Sequence, residues 1–254
     1  TGKDKTPIGY ELLQGDAFLL FPERSLASSL VPNRDVGVQV QGDLSPKVFY
    51  AAGVLNGIPD ASSATTDVDA NNGKELAGRV VVQPFRSTAA STRPLNGFGF
   101  HVGGSTGQQV GALPSFRTSV GQTYFSYATG ATANGKRTRV SQALFYYYKA
   151  FGALGEYVRS TQVIARTGAN TRVGNEAWEV TGSMVLTGEA ASDRGVRPAN
   201  SFDPSMGHWG ALQLVARYTE LKIDRDAFAA GLAATGSSSK AKSRLSPWVP
   251  SFFE

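Results

Sequence analysis

The sequence predicts an all-β protein whose strands form the wall of an antiparallel transmembrane β-barrel. Three observations support this prediction. Short aromatic-rich segments with period-2 alternation follow one another between polar turns, most clearly at 140–148, 178–187 and 211–219. Each has about the ten residues that a membrane-crossing strand needs. The 29 Gly, 14 Phe, 9 Tyr and only 2 Met suit a turn-rich β protein, and no run of 18 apolar residues predicts a membrane helix.

The cleanest alternation lies at residues 35–44. Val36, Val38 and Val40 fall on one face of the predicted strand, and Gln39 and Gln41 fall on the other. In a barrel the valines would face lipid and the polar residues the lumen. In a soluble sheet the valines would instead pack against a core.

The whole chain yields about ten predicted strands. They lie near 6–13, 35–44, 47–55, 76–83, 95–103, 122–129, 137–148, 154–164, 176–186 and 210–223. Short and long connections mostly alternate, as in membrane barrels, but the turn at 150–152 is short where a long loop is expected. We predict three regions: a strand and a long irregular loop at 1–35, barrel strands and loops at 36–226, and an atypical, low-order tail at 227–254 that supplies no closing strand.

Composition and motifs exclude several functions. The basic residues behind the net charge of +5 are dispersed, whereas nucleic-acid binding needs a clustered basic face. No cysteine is present, which excludes thiolate chemistry. Residues 67–73 are similar to a calcium loop, but the glycine is one position late and Gly78 stands where the acidic ligand belongs. His101 and His208 are the only histidines, and we predict no metal site, no cofactor and no enzyme activity.

An ordered set of segments resembles the bacterial phosphate-selective porins O and P. The most characteristic are FPERSL at 21–26, VPNRDVGVQ at 31–39 and WGALQLVARY at 209–218. The others are GDL at 42–44, YAAGVLNG at 50–57, LPSFR at 113–117, RTR at 137–139, GEYV at 155–158 and VLTGE at 185–189. No single motif is decisive, but their order along residues 6–226 is fairly specific.

The resemblance implies a sixteen-stranded barrel of the bacterial outer membrane, assembled as a homotrimer and passing anions. Membrane lipid, lipopolysaccharide and inorganic anions would be its partners. The segment before Val36 resembles the family's loop that folds inward and narrows the pore. About ten strands cannot close a sixteen-stranded wall, and open edges in lipid leave backbone groups unsatisfied. We therefore expect the chain to be part of a barrel or to be completed by another chain.

An anion pore needs positive charge along its lumen. Period-2 alternation places Arg79, Arg139 and Arg217 on the polar faces of their strands, with a rim position as the alternative. Phosphate-specific members of the family carry lysines on the constriction loop. Here residues 8–33 contain one basic residue, Arg24, which argues against a tight phosphate site. Lys3 and Lys5 lie just before this segment and are further candidates, with ordinary charges at a strand end as the alternative.

These features favour a passive diffusion channel for anions, with phosphate or polyphosphate as candidate solutes. Leaving out residues 225–254 removes 4 of the 25 basic and 2 of the 20 acidic residues, so the wall carries a net charge of only +3. A general porin without phosphate specificity is therefore the alternative. A soluble β-sandwich binding module is the alternative from another class.

Overall fold

One large antiparallel sheet dominates the fold. The computed structural model describes residues 2–64, 72–87, 93–118, 120–245 and 248–251. Their strands are β1 (Gly2–Lys5), β2 (Arg34–Ser45), β3 (Val48–Leu55), β4 (Glu75–Val82), β5 (Phe98–Gly111), β6 (Phe116–Arg117), β7 (Thr123–Phe125), β8 (Thr132–Tyr148), β9 (Phe151–Arg166), β10 (Ala169–Val185), β11 (Ala211–Lys222), β12 (Lys240–Leu245) and β13 (Trp248–Ser251).

Ten strands lie side by side in the order β1-β2-β3-β4-β5-β8-β9-β10-β11-β12, and β13 also pairs with β11. The predicted antiparallel wall of about ten strands is therefore confirmed. A single sheet of this width also differs from the two packed sheets of a β-sandwich. One short helix, α1 (Arg225–Ala229), follows β11. Among the described residues, no helix is long and apolar enough to cross a membrane.

Two predicted strands are wrong. The segment 6–13 is irregular, since Pro7 has no N–H to donate to a ladder and Gly9 has a φ of +81°. Its strand lies earlier, at β1. The segment 122–129 contributes only β7, which pairs with β6 in a separate two-stranded sheet.

The last thirty residues contain more pairing than their composition predicted. The boundary predicted at residue 227 lies inside α1, and β12 and β13 are both hydrogen-bonded to β11 in antiparallel register. The unexpectedly short turn is real, since β8 ends at Tyr148 and β9 begins at Phe151.

Strict alternation gives the sheet two chemically different faces. On β8, Ala143 is 4% exposed whereas its neighbour Leu144 is 59% exposed. On β10, Glu179 is 1% exposed whereas Val180 is 54% exposed. We call the covered face the inner face and the apolar, uncovered face the outer face. The reversal of the usual pattern, with charges buried and aliphatic residues exposed, is typical of a wall whose outer face contacts lipid.

The inner segment, residues 6–33, covers much of the inner face. It contains three 3₁₀ turns, Glu11–Leu13, Asp16–Phe18 and Leu26–Leu30. Ile8 and Leu30 are fully buried in a cluster that includes Val158 of β9 and Leu221 of β11. Burying side chains of this size contributes roughly 1.5–3 kcal/mol each. Apolar packing therefore holds this loop against the wall.

A second covering element lies at the end of the strands where β5 leads to β8. The β6–β7 hairpin packs against the segment after β11, with the Phe125 ring 5.8 Å from the Phe228 ring. The amide of Ala128 donates to the carbonyl of Leu232 at 2.8 Å. The β6–β7 hairpin and the segment after β11, which are far apart in the sequence, thus pack against each other and cover this end of the inner face.

Candidate pore lining

Arg139 lies at the centre of a buried ion-pair network. Its side chain points to the inner face, and the residue is 1% exposed. Nε donates to Asp60 at 2.6 Å, Nη1 donates to Glu75, and Nη2 donates to the carbonyl of Ile58 at 2.7 Å. Arg137, two residues earlier on the same face, donates to Glu75 at 2.8 Å. Charge-assisted hydrogen bonds to two carboxylates compensate the loss of hydration and attach the loop after β3 to the wall.

Arg217 holds the inner segment in a similar way. Nη1 donates to Glu11 at 2.9 Å, and Nη2 donates to the carbonyl of Glu23 at 2.5 Å. The guanidinium also lies 4.4 Å from the centre of the Phe21 ring. Glu11 accepts two further hydrogen bonds, from Ser25 N and Ser28 Oγ, each at 2.8 Å. The charge of Arg217 is therefore neutralised within a packed contact.

Glu156 anchors the start of the same segment. Its carboxylate accepts hydrogen bonds from the backbone amides of Tyr10 at 2.8 Å and Glu11 at 3.0 Å, and from Ser141 Oγ at 2.9 Å. Glu179 lies directly opposite Glu156 in register, on the inner face of β10. Its Oε2 accepts from Thr181 Oγ1 at 3.0 Å, whereas Oε1 has no hydrogen-bond partner in the described part of the chain.

Arg79 has a different environment. It lies on the inner face of β4, half-buried, with its guanidinium 5.0 Å from the centre of the Phe49 ring. Its buried Nε has no hydrogen-bond partner among the described residues, and none of their carboxylates lies within ion-pair distance. Arg79 is thus an inward-facing cation without an ion-pair partner in the part of the chain that the structure describes.

The remaining predicted cations lie on or beside the inner segment. Arg24 donates to the carbonyls of Glu11 and Gln14, and to Asp16. Lys5 Nζ donates to the carbonyl of Leu12 at 2.9 Å and lies 3.9 Å from Asp16. The hydrogen bond from Arg24, followed by the charge of Lys5, lowers the pKa of the Asp16 carboxyl.

Lys3 is placed apart from the other candidates. It is exposed and lies opposite Val36 in the β1–β2 register, which puts it on the outer face. The structure therefore brings Arg24 and Lys5 together around Asp16, and it leaves Arg79, Arg139 and Arg217 in three separate environments on the inner face. The calcium-like residues 67–71 lie outside the described residues.

Sequence reasoning missed the carboxylates that surround these arginines. Glu75, Glu156 and Glu179 all share the parity of the polar face on their strands, so alternation alone could have placed them inward. Glu11 and Asp60 lie in loops without a period. Their pairing with Arg217 and Arg139 depends on long-range folding that no local pattern encodes.

The geometry defines a class of protein: a β-barrel wall with an apolar outer face, a charged inner face and a loop folded onto that inner face. Within this class the particular family is shown by comparison with known proteins. The family of phosphate-selective porins O and P matches residues 1–240. The chain belongs to that family, and a search of curated proteins gave no match. It is accordingly a porin of the bacterial outer membrane, from a family of channels and not of enzymes, and the soluble β-sandwich alternative is wrong.

Proposed function

We propose that this porin is a passive diffusion channel that favours anions, with inorganic phosphate or polyphosphate as candidate solutes. The observation that carries the proposal is the position of Arg79 on the inner face with no carboxylate at ion-pair distance among the described residues. A positive charge facing a water-filled lumen raises the local concentration of anions while leaving them able to move on. The family description, phosphate-selective porin, points to the same class of solute.

Arg139 and Arg217 have a different part in this proposal. Both are buried and paired with carboxylates, so they hold the loop after β3 and the inner segment rather than meeting solute. The inner segment then serves as the constriction, with Arg24 and Lys5 on it. Asp43 is exposed on the inner face of β2. Its negative charge partly offsets that of Arg79, so we expect only a modest preference for anions.

Reversal potentials in a planar bilayer under a potassium chloride gradient test the role of Arg79. Two unit charges about 4 Å apart in water interact by about 1 kcal/mol. Arg79→Glu is therefore expected to lower the chloride-to-potassium permeability ratio about fivefold or more. The matched control is Arg172→Glu, an exposed position on β10 whose side chain lies on the outer face. Equal selectivity of wild type and Arg79→Glu would overturn the proposal.

A second measurement separates a phosphate channel from a general porin. Inorganic phosphate is added to a chloride-conducting channel, and the current is followed. A phosphate channel is expected to show a saturable decrease in chloride current that Arg79→Gln weakens. A current that changes only with bulk conductivity supports the general porin, an alternative favoured by the neutralisation of Arg139 and Arg217.

Two assembly partners complete the proposal. The family resemblance supports a homotrimer, which chemical cross-linking in detergent followed by mass measurement tests directly. A population of monomers alone would exclude it. Lipopolysaccharide is the proposed lipid partner, and the outer face offers a specific place for it.

A further inference from the structure

Basic side chains form a band across the outer face of β9 to β12. The antiparallel registers place Arg159 beside Glu176, Glu176 beside Lys222, and Lys222 beside Lys240. Since paired residues of neighbouring strands point to the same side of a sheet, these four side chains form one row. All four are at least partly exposed.

The band carries more positive than negative charge. We call it the outer basic patch. Its cations are Arg159, Arg172, Lys222, Lys240, Lys242 and Arg244, and its carboxylates are Glu176, Glu220 and Asp224. Six cations against three carboxylates leave a surplus of three positive charges. Within the described part of the chain, Lys240 and Arg172 have no ion-pair partner.

Aromatic residues show where this patch lies relative to the membrane. The next row toward the apolar part of the outer face contains Tyr157 and Trp178, and the Trp178 ring lies 5.0 Å from that of Tyr218. Such aromatic rows mark the boundary between hydrocarbon and headgroups in membrane proteins. Lys242 and Arg244 are level with Trp178 and Tyr218, at this boundary. The other four cations, Arg159, Arg172, Lys222 and Lys240, lie beyond the Trp178 row, at the level of the lipid headgroups.

The length of the strands gives an independent estimate of the depth of the Arg159 row in the membrane. Val140 on β8 is level with Arg159, and Tyr148, eight positions later, is the last residue of the strand. At about 3.3 Å per residue and the usual strand tilt, this distance corresponds to roughly 20 Å of depth, against an apolar band of about 25 Å. The row of Arg159 thus lies close to one edge of the hydrocarbon region.

We propose that the outer basic patch binds the phosphate groups of a lipopolysaccharide headgroup. This inference rests on the proposed lipopolysaccharide partner and adds its site. The cations from β9 to β12 span three inter-strand spacings, about 14 Å, which suits a headgroup with two phosphates better than one small ion. Apolar outward residues such as Val180 and Leu214 continue from the patch and offer a surface for acyl chains. Anionic headgroups attract clustered lysine and arginine at this depth.

Binding of bisphosphorylated lipid A to the purified porin in detergent tests the proposal. The test variant combines Lys222→Gln, Lys240→Gln and Lys242→Gln. The control variant combines Lys47→Gln, Arg86→Gln and Lys149→Gln, which removes equal charge from exposed positions at the opposite ends of the strands. The test variant is expected to bind lipid A at least tenfold more weakly, and the control within twofold of wild type. Equal affinity of the test variant and wild type would overturn the proposal.

Further measurements fix the ligand and guard against misfolding. Lipid A without phosphates should bind at least tenfold more weakly than the bisphosphorylated form, and millimolar inorganic phosphate should not displace the lipid. Equal binding of lipid A without phosphates would show that the acyl chains alone supply the affinity. Displacement by inorganic phosphate would show that the patch binds free phosphate. Either result contradicts the inference.

If the triple variant does not fold, the single variant Lys240→Gln should still lower affinity about threefold. Lys240 is exposed and has no ion pair with any described residue. The reversal potential should be unchanged in all three variants, so failure of this inference is distinguishable from failure of the anion channel.

Discussion

The inner faces of β4 and of β8 to β11 present arginines in opposite circumstances. Arg79 on β4 is half-buried beside Phe49 and has no carboxylate partner among the described residues. Arg139 on β8 and Arg217 on β11 are almost fully buried and paired with carboxylates from loops. All three arginines occupy inward positions in strands whose side chains alternate between the two faces.

The difference shows that an inward direction alone does not determine whether an arginine is paired with a carboxylate. The deciding factor is whether the fold brings a carboxylate to it. Where loops cover the wall, they supply Asp60 and Glu11, and the arginines become structural contacts. The wall of β2 to β4 is less covered, as at Gln41 and Asp43. There Arg79 has no ion-pair partner among the described residues, and it is the cation that the proposed channel would use.

The contrast between paired and unpaired arginines is tested most strongly by substituting each arginine in turn and comparing the stability that is lost. Arg139→Met leaves Asp60 and Glu75 buried with one guanidinium, that of Arg137, to share. Breaking a buried ion pair in this way costs about 3–5 kcal/mol. We therefore expect a loss of that size in the free energy of unfolding, measured by urea denaturation from detergent micelles.

Arg79→Met is the matched control, since it also removes an inward guanidinium but leaves no carboxylate of the described residues without its partner. Its expected change in the free energy of unfolding is below about 1 kcal/mol. Similar losses for Arg79→Met and Arg139→Met would refute the distinction between free and structural arginines.

The next largest effect concerns the attachment of the inner segment. Arg217→Met removes the partner of Glu11, which keeps its hydrogen bonds from Ser25 and Ser28. We expect a loss of about 2–3 kcal/mol in the free energy of unfolding and a larger, noisier single-channel conductance, because the segment is held less firmly. In a double-mutant cycle with Glu11→Gln, a coupling of at least about 1 kcal/mol is expected. Additive losses would show that the pair does not act as a unit.

Alternation in the sequence was sufficient to predict the wall and the inward direction of Arg79, Arg139 and Arg217, since period 2 is a local property of a strand. It could not predict β12, because the outward face of that strand is basic and not apolar. The residues on that face are Lys240, Lys242 and Arg244. It also could not predict the site chemistry. The partners of Arg139 and Arg217 come from loops 79 and 206 residues away along the chain, and such contacts leave no periodic signal.

A smaller effect is expected for the carboxylate that caps the inner segment. Glu156→Gln is neutral and has one acceptor oxygen, so both amides at Tyr10 and Glu11 lose a charged partner and one of them loses its acceptor. Hydrogen bonds to charged groups contribute about 1.5–3 kcal/mol, and we expect a loss near the lower end, about 1–2 kcal/mol. The control Glu176→Gln, at the partly exposed pair with Arg159, should cost below about 1 kcal/mol. Equal effects of the two substitutions would argue against an anchoring role for Glu156.

The smallest effect concerns pH and the exposed end of the inner segment. The hydrogen bond from Arg24 lowers the pKa of Asp16 below its ordinary value of 3.8. A carboxyl with a lowered pKa in the folded state contributes stability above its ordinary pKa, and that contribution disappears as the pH falls through the folded-state value. Wild type should therefore lose slightly more stability than Asp16→Asn when the pH drops below 3.8, as measured by thermal unfolding at matched ionic strength. Because Asp16 is largely exposed, salt should weaken the difference. Identical pH profiles for the two proteins would show that Arg24 and Asp16 do not interact in solution.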